Sequence, residues 1–300
     1  MGNKKITSEN TKLVIAISSR ALFNLDHSHK IFKEEGIEAY ARHQQENEHV
    51  VLEPGVGFTL VKKLLKLNSN KTPIDVILLS RNSADTGLRI FNSIEHYDLN
   101  ISRAAFTRGE STHPFVGAFE ADLFLSSNYN DVQKALQSGY AAASIVESKS
   151  NNSHPSQLRI AFDGDAVIFS DEAERIFQEK GLEAFHENEI LSEKIELKAG
   201  PFKSFLVSLQ KIQSTFPEEN NPIRTALVTA RSAPSHRRVI HTMREWGIRI
   251  DESFFLGGLE KGVFLKQFAA DIFFDDQQQH CESASQYVPT GHVPSGIKNS

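Results

Sequence analysis

The strongest constraint on this chain is that its second half repeats its first. A shift of 145 positions lays LVIAISSRALF, beginning at Leu13, over LRIAFDGDAVIF, beginning at Leu158. The next stretch stays in register, with HKIFKEEGIEAY over ERIFQEKGLEAF. Leu13, Ile15, Ala16, Ala21, Asp26, Ile31, Phe32, Glu34, Gly36, Glu38 and Ala39 each meet an identical residue. Farther along the offset becomes 149, so that SRNSADTGLRIF falls on TARSAPSHRRVI and ADLFLSSN on ADIFFDDQ. Chance does not supply three such matches in one order with no gap inside any of them. The period is far longer than that of a solenoid repeat, so each copy is a unit holding several secondary-structure elements.

Each copy alternates short β-rich runs with longer amphipathic stretches, the pattern of an α/β fold. Strands are expected at Leu13–Ile17, Val76–Leu79, Leu123–Leu125, Leu158–Phe162, Ala226–Thr229 and Ile272–Phe274. These runs are apolar throughout, as suits parallel strands covered on both faces. Helical spacing predicts helices over Ser28–Glu35, Phe58–Leu67, Thr86–His96, Asp131–Ser138, Glu172–Lys180, Pro201–Ile212 and Ser235–Trp246. Gly36 and Gly181 follow two of them, where a left-handed C-cap is favoured. The polar ESKSNNSHPSQ reads as a linker. The expected architecture is two tandem Rossmann-like units of parallel sheet flanked by helices, 11–146 and 158–296, joined by 147–157. A small helical cap insert is expected at about 171–197 of the second unit.

The copies share a hydrophobic frame but not their charges. Asp163 and Asp165 face Ser18 and Arg20, Asp275 and Asp276 face Ser126 and Ser127, and Lys261 faces Thr112. A structural role for these acids would not be confined to one copy of the same frame. The second copy is therefore expected to carry chemistry, and the first to be a degenerate scaffold or ligand-binding partner.

FDGDAVIF places two carboxylates at the carboxyl end of a strand, where open α/β sheets bind ligands. Gly164 between them permits a sharp turn and a close approach. Asp275 and Asp276 follow another apolar strand. If the two strands are neighbours, the acids converge on a hard cation, and magnesium suits carboxylates, waters and a phosphate oxygen. A third strand ends in Thr229, whose hydroxyl and the N–H groups that follow can hold a phosphate. Lys261 supplies the cation that the four acids otherwise lack.

This order of DxD, strand-end Thr, Lys and DD resembles the haloacid dehalogenase superfamily of phosphotransferases. FDGDAVIFSDE, VTARSAP, GGLEKG and IFFDDQ, with SRNSADTGLRIFNSIEHY in the first half, further resemble the cytosolic 5′-nucleotidase type I family, over roughly Lys12 to Gly296. The resemblance implies magnesium-dependent hydrolysis of nucleoside 5′-monophosphates in the cytosol. It casts Asp163 as a nucleophile that forms an aspartyl-phosphate, against the plainer reading of a helix N-cap. Asp165 becomes the general acid and then base, its backbone carbonyl also reaching the metal. Asp275 and Asp276 complete the metal site. Thr229, Ala230, Arg231 and Ser232 hold the substrate, and Lys261, with Lys266 as competitor, neutralises the phosphoryl group. The same motifs also fit a phosphatase of other small monoesters. A non-enzymatic nucleotide sensor is the reading from another class.

The net charge of −5, scattered along the chain, argues against a general nucleic-acid surface. Cys281 is the single cysteine, so neither an intramolecular disulfide nor a thiolate zinc cluster is expected. No apolar run approaches the ~20 residues of a membrane span, and Met1–Asn10 lacks a signal-peptide core. A soluble cytoplasmic protein is the expectation, with homo-oligomerisation left open. His236, His241 and His280 show no metal-type spacing. Phe169, Phe177 and Phe185 sit in or beside the insert as core residues, or as one stacking partner for a base. The Ser80–Gly87 segment is polar beyond the needs of a turn: it is either a nucleotide contact at the interface between units or a helix start after Asp85.

Overall fold

A computed structural model describes residues 12–69, 73–148 and 154–299; Met1–Asn10 and the middle of the expected linker lie outside them. The strands are β1 Leu13–Ser18, β2 Ile74–Ser80, β3 Arg103–Phe106, β4 Leu123–Ser126, β5 Ala142–Val146, β6 Leu158–Phe162, β7 Ile223–Thr229, β8 Glu252–Phe255, β9 Ile272–Asp275 and β10 Thr290–His292. They form one sheet in the order β3-β2-β1-β4-β5-β10-β9-β6-β7-β8. Every neighbouring pair is parallel except β5 with β10.

Instead of the two separate sheets expected, the halves therefore share a single one. An edge strand left bare presents unpaired N–H and C=O groups. Here β5 of one half and β10 of the other satisfy each other across the junction, with Ile145 opposite Gly291.

The repeat is visible in the strand order, which runs 3-2-1-4-5 in the first half and 8-7-6-9-10 in the second. An offset of 149 carries β2, β3 and β4 onto β7, β8 and β9 end to end. Gly36 (φ 88°, ψ −175°) and Gly181 (φ 82°, ψ −179°) adopt the same glycine-only backbone conformation. Gly36 closes helix Asp26–Glu35 as its C-cap, with positive φ and its N–H donating to Phe32 O at 3.1 Å, whereas Gly181 lies within a longer helical run. Each is a sharp corner from which a second helix starts, Ile37–Glu46 in the first half and the run to Leu191 in the second.

The halves also reach across to each other. Lys63, on helix Phe58–Lys66, donates to both oxygens of Asp271 at 2.7 and 2.8 Å. In the counterpart position Ser208, on helix Lys203–Gln213, donates to Asp122 at 2.7 Å. Each of these aspartates also accepts a backbone N–H from the strand of its own half, Val14 for Asp122 and Arg159 for Asp271. One apolar cluster runs through both halves, with Leu13 and Ile15 in the same core as Phe162, Phe205 and Phe274. Burial of this continuous core on one face of the sheet is what aligns the carboxyl ends of β6, β7 and β9.

Candidate active site

β9, β6 and β7 are consecutive in the sheet, so their carboxyl ends present Asp275, Asp163 and Thr229 side by side. After Asp163 the chain makes one wide turn, closed by Phe169 N–H donating to Gly164 O at 2.9 Å, with Ala166 left-handed at φ 59°. A Cβ on Gly164 would lie 3.3 Å from Thr229 Oγ1, so glycine keeps the space between nucleophile candidate and hydroxyl open.

Asp163, Asp275 and Asp276 bring carboxylate oxygens within 4.8 Å of one another, and all three are buried. Lys261 Nζ stands 2.9 Å from Asp163 Oδ1 and 2.6 Å from Asp275 Oδ2. Three carboxylates against one ammonium leave an uncompensated negative charge in a buried place. The acids divide the consequence unequally. Burial, and then the neighbouring carboxylates, push Asp163 up to about 7 and Asp276 up to about 9. Burial would raise Asp275 too, but Lys261 and His280 outweigh it and hold that carboxyl down at about 2. Lys261 is buried, yet Asp163 and Asp275 keep its ammonium charged, well above the usual lysine range.

The donor set suits a hard divalent cation: oxygens only, closely spaced, and two of them proton-loaded where the compensating charge is missing. Among the described residues it is the one such cluster.

The remaining sequence candidates divide. Asp165 does not join the converging acids. Its carboxylate is held in a fork by Arg231, with Nε at 2.8 Å and Nη2 at 2.7 Å. Arg231 also donates to Glu189, which accepts from Arg238 at 2.9 Å, and the Phe185 ring lies 5.6 Å from the Arg231 guanidinium. Two acids thus hold the Arg231 side chain inside the protein; its N–H donates to Thr229 Oγ1 at 3.2 Å. Ala230 is exposed and Ser232 is half-buried beside Gly257. Lys266 is exposed on helix Gly262–Phe268, whereas Lys261, just before that helix, is buried among the acids. Phe169 is core, 5.6 Å from Trp246, and Phe177 meets Phe185 edge-on.

Some neighbours of the site were not anticipated. His280 Nδ1 lies 3.4 Å from Asp275 Oδ2, despite having no metal-type spacing in the sequence. His292 Nε2 and Asn299 Nδ2 donate to the backbone oxygen of Asp276 at 2.9 and 2.8 Å, fixing the acidic turn from β10 and the residues beyond it. Glu189 is 2% exposed, an acid that the sequence alone does not distinguish from the exposed Glu183 and Glu187 of the same helix. Of the two readings of the Ser80–Gly87 segment, the helix start holds: a turn of 3-10 helix, Asp85–Gly87, leads into helix Leu88–His96. Its residues Arg81, Asn82, Ser83, Asp85 and Thr86 line a cavity inside the first half rather than an interface between units, beyond the carboxyl end of β2, which lies between β3 and β1.

The chain matches the family model described as 5′-nucleotidase over residues 5–300. It is 40% identical over 288 residues to human cytosolic 5′-nucleotidase 1B, a match covering 91% of this chain and 47% of that protein. The chain thus spans about half the length of the curated relative it matches. No solved structure matches it. Among the described residues no helix is long and apolar enough to cross a membrane.

Proposed function

The chain belongs to the 5′-nucleotidase family, and from that premise we propose that it hydrolyses nucleoside 5′-monophosphates to nucleoside and phosphate, with Asp163 as nucleophile. The observation that carries this reading is the buried trio of Asp163, Asp275 and Asp276 around the single ammonium of Lys261. Binding alone does not call for a carboxylate poised beside both a cation site and a phosphate-holding hydroxyl.

In this reading Asp163, Asp275 and Asp276 hold magnesium, with the backbone carbonyl of Asp165 as a further ligand. Magnesium, when bound, offsets the charge of the phosphoryl oxygens. Asp163 attacks phosphorus, the bond to the ribose 5′-oxygen breaks, and an aspartyl-phosphate forms. Lys261 and Thr229 steady the phosphoryl oxygens as charge develops on them. Asp165 gives its proton to the departing oxygen, then takes one from the water that cleaves the aspartyl-phosphate. In this reading the two-armed contact from Arg231 sets where the Asp165 carboxyl stands, 2.8 Å from Nε and 2.7 Å from Nη2. The expected units, 11–146 and 158–296, remain our division of the chain. The helical stretch within 171–197, which contributes Glu189, serves as the cap over the site. We assign a cytosolic setting by likeness to the relative's name.

The test is phosphate release from a panel of nucleoside monophosphates and sugar phosphates. Wild type should release phosphate from nucleotides with magnesium and lose activity in excess chelator. Asp163→Asn should be inactive while folded, and Asp165→Asn severely impaired. Full activity in chelator, or wild-type turnover in Asp163→Asn, would overturn the mechanism. Preference for sugar phosphates would move the substrate class.

A further inference from the structure

The carboxyl ends of β1, β2 and β4, the counterpart of the site just described, open into a cavity of about 880 Å³ in the first half. That volume is in the range of small-ligand sites. Its walls follow from the repeat, position by position. Ser18, Ser126 and Ser127 stand where the second half has Asp163, Asp275 and Asp276, and Thr112 stands for Lys261. The network behind the trio changes as well: Arg20 replaces Asp165, Asn82 replaces Arg231, Gln44 replaces Glu189, and Arg89 matches Arg238. At these eight positions the second half has five acids and three bases, a formal charge of −2; the first half has two arginines and no acid, +2. The same frame that in one half asks for a cation therefore asks for an anion in the other.

The hydrogen bonding points the same way. Tyr40 donates to Asn82 Oδ1 at 2.9 Å, which leaves Asn82 Nδ2 a buried donor with no acceptor. Arg20 Nε is a second buried donor with none, while Nη2 of the same side chain pairs with the exposed Asp26 at 3.1 Å. Arg108, exposed at the rim, carries no ion pair among the described residues. The acids nearby are already engaged. Asp131 is held by both arms of Arg81 and by the Ser111 and Thr112 hydroxyls, and Asp85 accepts from Gln45 at 2.8 Å. Glu38 is exposed on helix Ile37–Glu46. On the other side the wall is apolar, with Phe32 (45% exposed) edge-on to Tyr40, and Ile37 (64% exposed).

We propose that this cavity is a second ligand site, which binds a nucleoside phosphate without a divalent cation. The phosphate lies against Arg20, Arg108 and the hydroxyls of Ser18 and Ser127, and the base lies against Phe32 and Tyr40. With a serine where Asp163 would be and no cation cluster, the site binds and does not hydrolyse. This goes beyond the catalytic reading and stands on different residues.

The experiment is calorimetric titration of the full chain in excess chelator with adenosine 5′-monophosphate, adenosine and inorganic phosphate. The monophosphate should bind one per chain, and adenosine at least about tenfold more weakly, the scale of losing one charge-assisted contact. Inorganic phosphate should compete with the monophosphate. Arg108→Ala and Ser127→Asp alter exposed residues; each should weaken the monophosphate about tenfold or more, while Thr229→Val in the catalytic half leaves it unchanged. Absence of metal-free binding, equal binding of adenosine, or loss in Thr229→Val with retention in Arg108→Ala would each overturn the proposal. Because turnover is not read, an inactive Asp163→Asn bears on the catalytic reading alone.

Discussion

Asp276→Asn should make the metal-free protein less sensitive to rising pH while removing its response to magnesium. Asp276 is buried, and Lys261 pairs with Asp163 and Asp275 rather than with it. Burial first, and then those two carboxylates, push it up to about 9. An unfolded aspartate titrates near ~3.9. Between those values the folded chain holds a proton that the unfolded chain has released, so stability falls as pH rises, by about 1.4 kcal/mol per pH unit for one proton. From pH 6 to pH 8 the loss is about 3 kcal/mol, or about 5 °C in Tm for a chain of this size. Asparagine cannot ionise and lacks that slope. Asp163, pushed up to about 7, titrates in both proteins and largely cancels in the comparison. Urea unfolding in excess chelator at pH 6, 7 and 8 measures the difference. Magnesium at pH 8 should then stabilise wild type, by displacing the proton that Asp276 still holds there, and leave the variant nearly unmoved. Parallel pH profiles for the two proteins would refute the placement of an uncompensated acid at Asp276.

Two other outcomes follow from contacts outside the trio. Lys63→Ala should cost about 3–5 kcal/mol, because it removes the ammonium that faces both oxygens of the buried Asp271 carboxylate at the junction of the halves. Its counterpart Ser208→Ala removes one neutral donor from Asp122 and should cost about 1 kcal/mol; equal costs in urea unfolding would contradict the difference in burial and charge. Arg231→Lys replaces a two-armed grip on Asp165 by a point charge. It should lower kcat about tenfold or more with KM little changed, if Asp165 acts in the chemical step. A change confined to KM would place Arg231 in substrate binding instead.

Much of the fold was legible because parallel strands buried on both faces must be apolar throughout. β1, β2, β4, β6, β7 and β9 all carry such a run, broken near the start of β2, β6 and β7 by the half-buried Asp75, Arg159 and Arg224. The other four do not. RAAF and ESFF are half-buried edge strands, AASIV is only partly buried, and TGH is a strand solely through its pairing with β5 and β9. The acids at strand ends were legible for a related reason, since a carboxylate directly after an apolar strand has few purely structural explanations and the repeat showed that its frame does not need one.

The sequence by itself determined that one α/β frame occurs twice and that only the second copy carries Asp163, Asp275, Asp276 and Lys261. Those facts reside in local composition and in register, which are one-dimensional. Tertiary structure decided that the copies share one sheet through β5 and β10, since edge pairing depends on where two strands come to lie and not on their side chains. It decided too that Asp165 turns to Arg231 while Asp276 is left unpaired. Those partners are set by how a glycine-bent helix packs over the strand ends, bringing Glu189 to residues 42 and 49 positions away. The cavity of the first half has the same origin. Serine for aspartate and asparagine for arginine can be read in a sequence, but the space they leave exists only because the shared frame around them does not collapse to fill it.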